Sequence, residues 1–192
     1  MPIPPQREPA WNELDAEGKR RCLLRAAGEV FARDGLDAPM PAVAAAAEAG
    51  VASVYRQFPS KEDLLAALVV ERMEEVEGDA LAALQGEKPP REALVVLLAA
   101  YVQRQAVDDL VGEAMACVSS HPDVMRARAG ATKALEALLA AAKPEGLRED
   151  ATTLDLRVLF ASTRAAKEME AGARERVLEL WFDAAFERGA GA

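Results

Sequence analysis

The sequence predicts an all-α protein of about nine helices, four short or medium ones ahead of a central linker and five after it. Apolar residues make up 51% of the 192 positions but aromatics only 5%, so the core must come mostly from Leu, Val and Ala. Alanine and leucine lose little on entering a helix, whereas strands favour branched and aromatic side chains. Runs of β-branched residues and strict apolar–polar alternation are scarce. The length allows a sizeable core, either as one domain or as a small domain fused to a larger one.

Residues 1–12 carry four prolines and little apolar content, and read as a flexible arm. Asp15 is a suitable N-cap for a first helix over 16–33, with Leu23, Leu24, Ala27, Val30 and Phe31 on one face and Gly35 as its stop. Pro39 and Pro41 flank Met40, and proline suits the first turn of a helix, so a short second helix is expected over 40–47. GVASVYRQF is long enough for two further turns, closed by Pro59. Ser60 and Asp63 have the spacing of a capping box, opening a fourth helix that can run to residue 85. GEKPPR at 86–91 is the clearest linker, and five helices follow at 91–107, 108–119, 122–143, 151–169 and 173–188.

Two short helices joined by a tight turn over residues 40–58 have the lengths of a helix-turn-helix, whose second helix enters the major groove of double-stranded DNA. Gly50, Val51, Ala52 and Ser53 would give that helix a small first turn able to approach the bases. Tyr55, Arg56 and Gln57 follow within reach of phosphates and bases. Lys61 opens the next helix, where lysine and backbone N–H groups together favour a phosphate.

At these residues the chain resembles the TetR family of transcriptional regulators. The first helix ends in Phe31-Ala32-Arg33-Asp34-Gly35, the second carries Val43-Ala44 and Ala47, and the third is followed by Phe58 and Pro59-Ser60-Lys61-Glu62. The spacing fits without a gap over residues 19–66, and YRQFPSKEDLL is its most specific stretch. The resemblance implies a DNA-binding head over 13–62, with Lys19, Met40, Gly50, Val51, Ala52, Ser53, Tyr55, Arg56, Gln57 and Lys61 as contacts. It also implies a body over 63–192 that binds a small-molecule effector and forms a homodimer, so that the protein represses at a palindromic operator. Two departures stand out. Glu48-Ala49 replaces the family's Gly-Val at the turn, which implies either strain of roughly 1 kcal/mol or a different turn. Pro39-Met40 replaces the hydroxyl residue that usually opens the second helix.

The net charge of −9 and pI of 4.8 are not the global signature of a nucleic-acid binder, so DNA contact must be local. Residues 1–62 hold eight Lys/Arg against nine Asp/Glu, while residues 63–192 hold fifteen against twenty-three, leaving the head near neutral. Lys19, Arg20, Arg21 and Arg25 cluster on the first helix.

In the body, Leu154, Val158, Ala161 and Ala165 form one stripe, and Val177, Leu180, Trp181 and Ala184 another. Either a dimer seam or an internal core would account for them. Met73, Tyr101, Arg104, Met115, Cys117, Phe160 and Trp181 are candidate pocket residues, and Arg104 with Gln105 could orient a polar effector group or simply edge the helix. Cys22 and Cys117 are far apart, with no CxxC, and read as buried thiols in a reduced compartment. His121, the single histidine, precedes Pro122 and suits a helix cap better than a metal or catalytic role. No catalytic constellation, metal cluster or cofactor motif stands out, which argues against an enzyme. Without a signal-peptide core or a membrane-length apolar run, a cytoplasmic protein is expected.

Overall fold

The computed structural model describes residues 11–166, 169 and 172–186, without the side chains of 105–109. Trp11–Glu13 form a single 3-10 turn, and Trp11 packs against the N-terminal core. This turn falls within the stretch expected to be a flexible arm. The rest of that arm, residues 1–10, lies outside the described residues.

Helix α1 spans Ala16–Asp34, and Asp15 accepts the Gly18 N–H at 2.7 Å as its cap. Gly35, at φ 81°, ends it and donates its N–H to the Phe31 carbonyl. Helices α2 (Met40–Ala46) and α3 (Val51–Gln57) follow. The turn between them settles the question raised by Glu48, which sits at φ 51°, the left-handed conformation that glycine usually supplies. Glu48 N–H bonds the Ala45 carbonyl at 3.2 Å and Ala49 N–H bonds that of Ala44 at 2.9 Å, the paired closure of a Schellman motif. The family's turn is thus retained with a strained residue in the glycine position.

Helix α4 (Lys61–Gln85) is about 37 Å long at 1.5 Å per residue. It is followed by α5 (Pro90–Gln103), α6 (Gln105–Val118), α7 (Pro122–Ala142), α8 (Thr153–Ala165) and α9 (Ala173–Ala185). No strand occurs among the described residues; Leu147 and Phe186 form one isolated bridge. The break between α5 and α6 falls at Arg104 rather than at 107/108, with no glycine or proline to announce it. The linker is shorter than expected because Pro90 belongs to the first turn of α5. Helix α8 ends at Ala165, short of the expected 169, and α9 ends where Phe186 turns extended.

The buried apolar residues form two clusters. The first joins Leu23, Leu24, Val30 and Phe31 of α1, Val43 of α2, Val54 of α3 and Leu64, Leu65 and Val69 of α4. It also takes in Val111, Ala114 and Val118 of α6, so the short helices are completed by a helix from beyond the linker. The second joins the far half of α4 with α5, α7, α8 and α9 through Leu94, Leu98, Leu138, Leu156 and Leu159. Each fully buried leucine contributes about 2–3 kcal/mol. Helix α4 runs through both clusters and packs most extensively along α7.

Candidate nucleic-acid interface

Helices α1 to α3 and the foot of α4 present one face to solvent. Val54 and Phe58 anchor α3 in the first cluster, and α3 turns its opposite side outward. Val51 is 42% and Tyr55 45% exposed, with Gly50, Ala52 and Arg56 exposed beside them, and Ser53 and Gln57 half-buried. Arg56 donates from Nη2 to Ser53 Oγ at 2.6 Å, which fixes the guanidinium along the helix.

Ser60 caps α4 as the sequence indicated. Its hydroxyl accepts the Asp63 N–H at 3.1 Å and donates to Asp63 Oδ2 at 2.6 Å, while its own N–H donates to Oδ2 at 3.0 Å. The Ser60 hydroxyl bond, aided by the Ser60 N–H and His121, holds the Asp63 carboxyl below its ordinary range. His121 caps α7 by accepting the Asp123 N–H at Nδ1, and its Nε2 lies 3.6 Å from Asp63 Oδ1. One imidazole thus sits between the starts of α4 and α7.

Several basic side chains of this region rest on aromatic rings, which restricts the freedom of their long stems. Lys61 Nζ is 5.8 Å from the Phe31 ring centre, Lys19 Nζ is 6.0 Å from that of Trp11, and the Arg20 guanidinium is 4.9 Å from that of Phe58. Arg20 was visible in the sequence only as one member of a basic run; its stacking depends on Phe58 returning from α3. Arg21 and Arg25 instead lie beside Glu17 and Glu29 on their own helix. One expected contact is corrected: Met40 is only 5% exposed and belongs to the first cluster, so its side chain offers nothing to a nucleic acid.

The residues expected to line an effector pocket divide between the two cores and the surface. Met115 packs on the first cluster, Met73 on both, and Phe160 and Trp181 on the second. The Tyr101 and Phe160 rings are 5.9 Å apart, and Tyr101 is fully within the second cluster. Cys117 is exposed and Cys22 half-buried, correcting the expectation of two buried thiols. Arg104 is exposed and borders an open groove of about 590 Å³ between α4 and α5; the side chain of Gln105 lies outside the described residues.

A polar cluster that the sequence reading missed lies at the joint of the two cores. Arg72 is buried on α4, 4.7 Å from the Tyr101 ring centre and 3.0 Å from Glu75. Burial, reinforced by the charge of Asp79, keeps the Tyr101 phenol well above its ordinary range. The signal was available, because Arg72 continues the stripe Leu65, Val69, Arg72, Val76 on the buried face of α4. A cleft of about 130 Å³ between α1, α4 and α6 is lined there by Leu68, Glu71, Arg72 and Val111 among others. Burial, and secondarily Glu75, raises Glu71 above the usual carboxylate range.

Among the described residues, no group of three or more His, Cys, Asp or Glu could hold a metal ion, and no helix is long and apolar enough to cross a membrane.

Residues 23–68 match the family model described as bacterial regulatory proteins, tetR family. No curated protein matches the sequence significantly. Among solved structures, the chain is 30% identical to a TetR transcription regulatory protein from Mycobacterium vanbaalenii, covering 88% of this chain and 95% of that one at a TM-score of 0.60. A TetR transcriptional regulator from Streptomyces coelicolor is 28% identical over 88% and 99% of the two chains, also at 0.60. The fatty acid degradation regulator FadR from Bacillus halodurans shares the fold at a TM-score of 0.69, with 20% identity over 88% and 96% of the chains. A strained but intact helix-turn-helix turn, an outward-facing third helix and a capped lysine therefore stand in a chain that matches such regulators over 88% of its length: this protein belongs to the TetR family of bacterial transcriptional regulators.

Proposed function

We propose that this DNA-binding regulator is a ligand-responsive repressor that acts in the cytoplasm as a homodimer on a palindromic operator. Residues 13–62 form the head and residues 63–192 the effector and dimerisation body, with α4 continuous between them. Tyr55, Arg56, Gln57, Lys61 and Lys19 supply the polar contacts of the head, and Gly50, Val51, Ala52 and Ser53 let α3 approach the base edges.

The observation that carries the dimer is the surface of α8 and α9. Leu154 is 61%, Val158 56% and Leu180 51% exposed, with Ala161, Ala165 and Ala184 exposed in line with them. Val177 and Trp181 are half-buried under the same face and support it from the second cluster. Two such faces packed about a two-fold axis remove these side chains from water and set two copies of α3 for half-sites about 34–36 Å apart.

An effector acts by binding one spacing of the two heads better than the other. Helix α4 is the element that can carry this difference, since its foot bears Lys61 and its far half lies in the second cluster. Of the expected pocket residues, Arg104 is best placed to meet the effector, since it borders the open groove between α4 and α5.

The test is a mobility-shift assay of the full-length protein on the DNA flanking its own gene, run over a salt series. Saturable binding to a near-palindromic site, weakening steeply with salt, is the expected result. Retention of no DNA, or of all DNA alike, would contradict the reading.

A further inference from the structure

The first turn of α3 is unusual for a surface that must read bases, because it offers them almost no hydrogen-bonding side chain. Gly50 has none, Val51 and Ala52 are apolar and exposed, and the Ser53 hydroxyl is engaged by Arg56. Nothing inside the protein requires glycine at position 50. Its φ is an ordinary −70°, and an added Cβ would meet only Ser53 Oγ at 3.9 Å. The missing side chain thus leaves space outside the protein, on the exposed side of α3.

Val51 has no such internal duty either. An apolar side chain 42% exposed on a seven-residue helix gains little from the fold, whose hold on α3 comes from Val54 and Phe58. In the major groove the apolar feature that distinguishes one base pair from the others is the thymine methyl group. Val51 and Ala52, adjacent on the open turn, match that feature in size and polarity.

We propose that Val51 and Ala52 select the operator by apolar contact with thymine methyl groups, and that Gly50 permits the close backbone approach this requires. The inference rests on α3 being the helix that enters the groove. Discrimination at these positions then comes from shape and burial rather than from bidentate hydrogen bonds, while Tyr55, Arg56 and Lys61 hold the register.

The experiment begins with a duplex selected from a randomised library by the full-length protein. Each thymine of that duplex is then replaced singly by deoxyuridine, which keeps the base pair and removes only the methyl group. Affinity is expected to fall about three- to tenfold at one or two positions in each half-site, and by less than twofold elsewhere. The V51A protein, with unchanged thermal stability, should bind the thymine and deoxyuridine duplexes equally at the position Val51 contacts. A flat deoxyuridine scan on a well-bound duplex would overturn the proposal and leave DNA binding itself intact. Recovery of no common sequence would overturn the placement of α3 in the groove, and the proposal with it.

Discussion

Two surfaces of this molecule expose apolar side chains to water, and they differ in what surrounds them. On α3, Val51, Ala52 and Tyr55 make a patch one helix wide, bordered by Arg56 and the stacked Lys61 and Arg20. On α8 and α9, exposed Leu154, Val158 and Leu180 are continued at helical spacing by exposed Ala161, Ala165 and Ala184, and charges of both signs such as Arg157 and Glu179 edge them. A small apolar patch set among cations suits a polyanion with apolar features in its groove. A longer apolar row edged by charges of both signs suits another copy of itself, where every exposed leucine meets an equivalent surface. Apolar exposure alone says only that something covers the patch; the neighbouring charges say what.

The largest effect should come from breaking the second surface. Leu180→Asp places two carboxylates in an apolar seam and is expected to weaken self-association by about 100-fold or more, taking operator affinity with it. Sedimentation equilibrium of the free protein measures this directly, and an unchanged dimer would remove α9 from the interface.

Breaking the first surface should leave the dimer whole. Lys61→Ala is expected to abolish tight operator binding and to lower the slope of log affinity against log salt by about 2, one unit for each chain. Normal binding by that variant would sink the role assigned to the capped end of α4.

A smaller effect sharpens the account of the head. Glu48→Gly relieves the left-handed strain at the turn and should stabilise the protein by about 1 kcal/mol in chemical denaturation. Operator specificity should be unchanged, since Glu48 lies outside the face of α3.

The smallest effect concerns the joint between the two cores. Burial raises Glu71 above its unfolded value, so its charged form opposes folding at neutral pH. Glu71→Gln should therefore raise the thermal midpoint near pH 7, and the gain should vanish as pH falls through the carboxylate range, where Glu71 is protonated in both states. A gain independent of pH would point to packing instead.

How far the sequence spoke also differed between the two ends. In the head, structure is decided locally, by Asp15, Gly35 and the Ser60–Asp63 box, each of which acts within a few residues and was readable as such. At Glu48 a glycine position filled by another residue allowed either strain or a different turn, and the backbone adopts the strained one. Met40 was misplaced because a residue at the opening of a helix can face either way, and only the packing of α1 and α4 decides that it faces inward. The body is made of long Ala and Leu helices, whose periodicity gives their number but not their partners. Nothing in the local sequence marks the break at Arg104, and the pocket candidates were chosen by residue type while their burial is set by helices far apart in the chain. The joining of α6 to the first core and the placement of His121 beside Asp63 are long-range outcomes of the same kind.

The central claim is that two copies of the chain, joined through α8 and α9, present two α3 helices to one duplex. The most direct test is the mass of the complex between full-length protein and a selected duplex, measured by native mass spectrometry at several protein concentrations. The account predicts an even number of chains on each duplex, with two as the smallest complex. A single chain bound stably to a full site would contradict it.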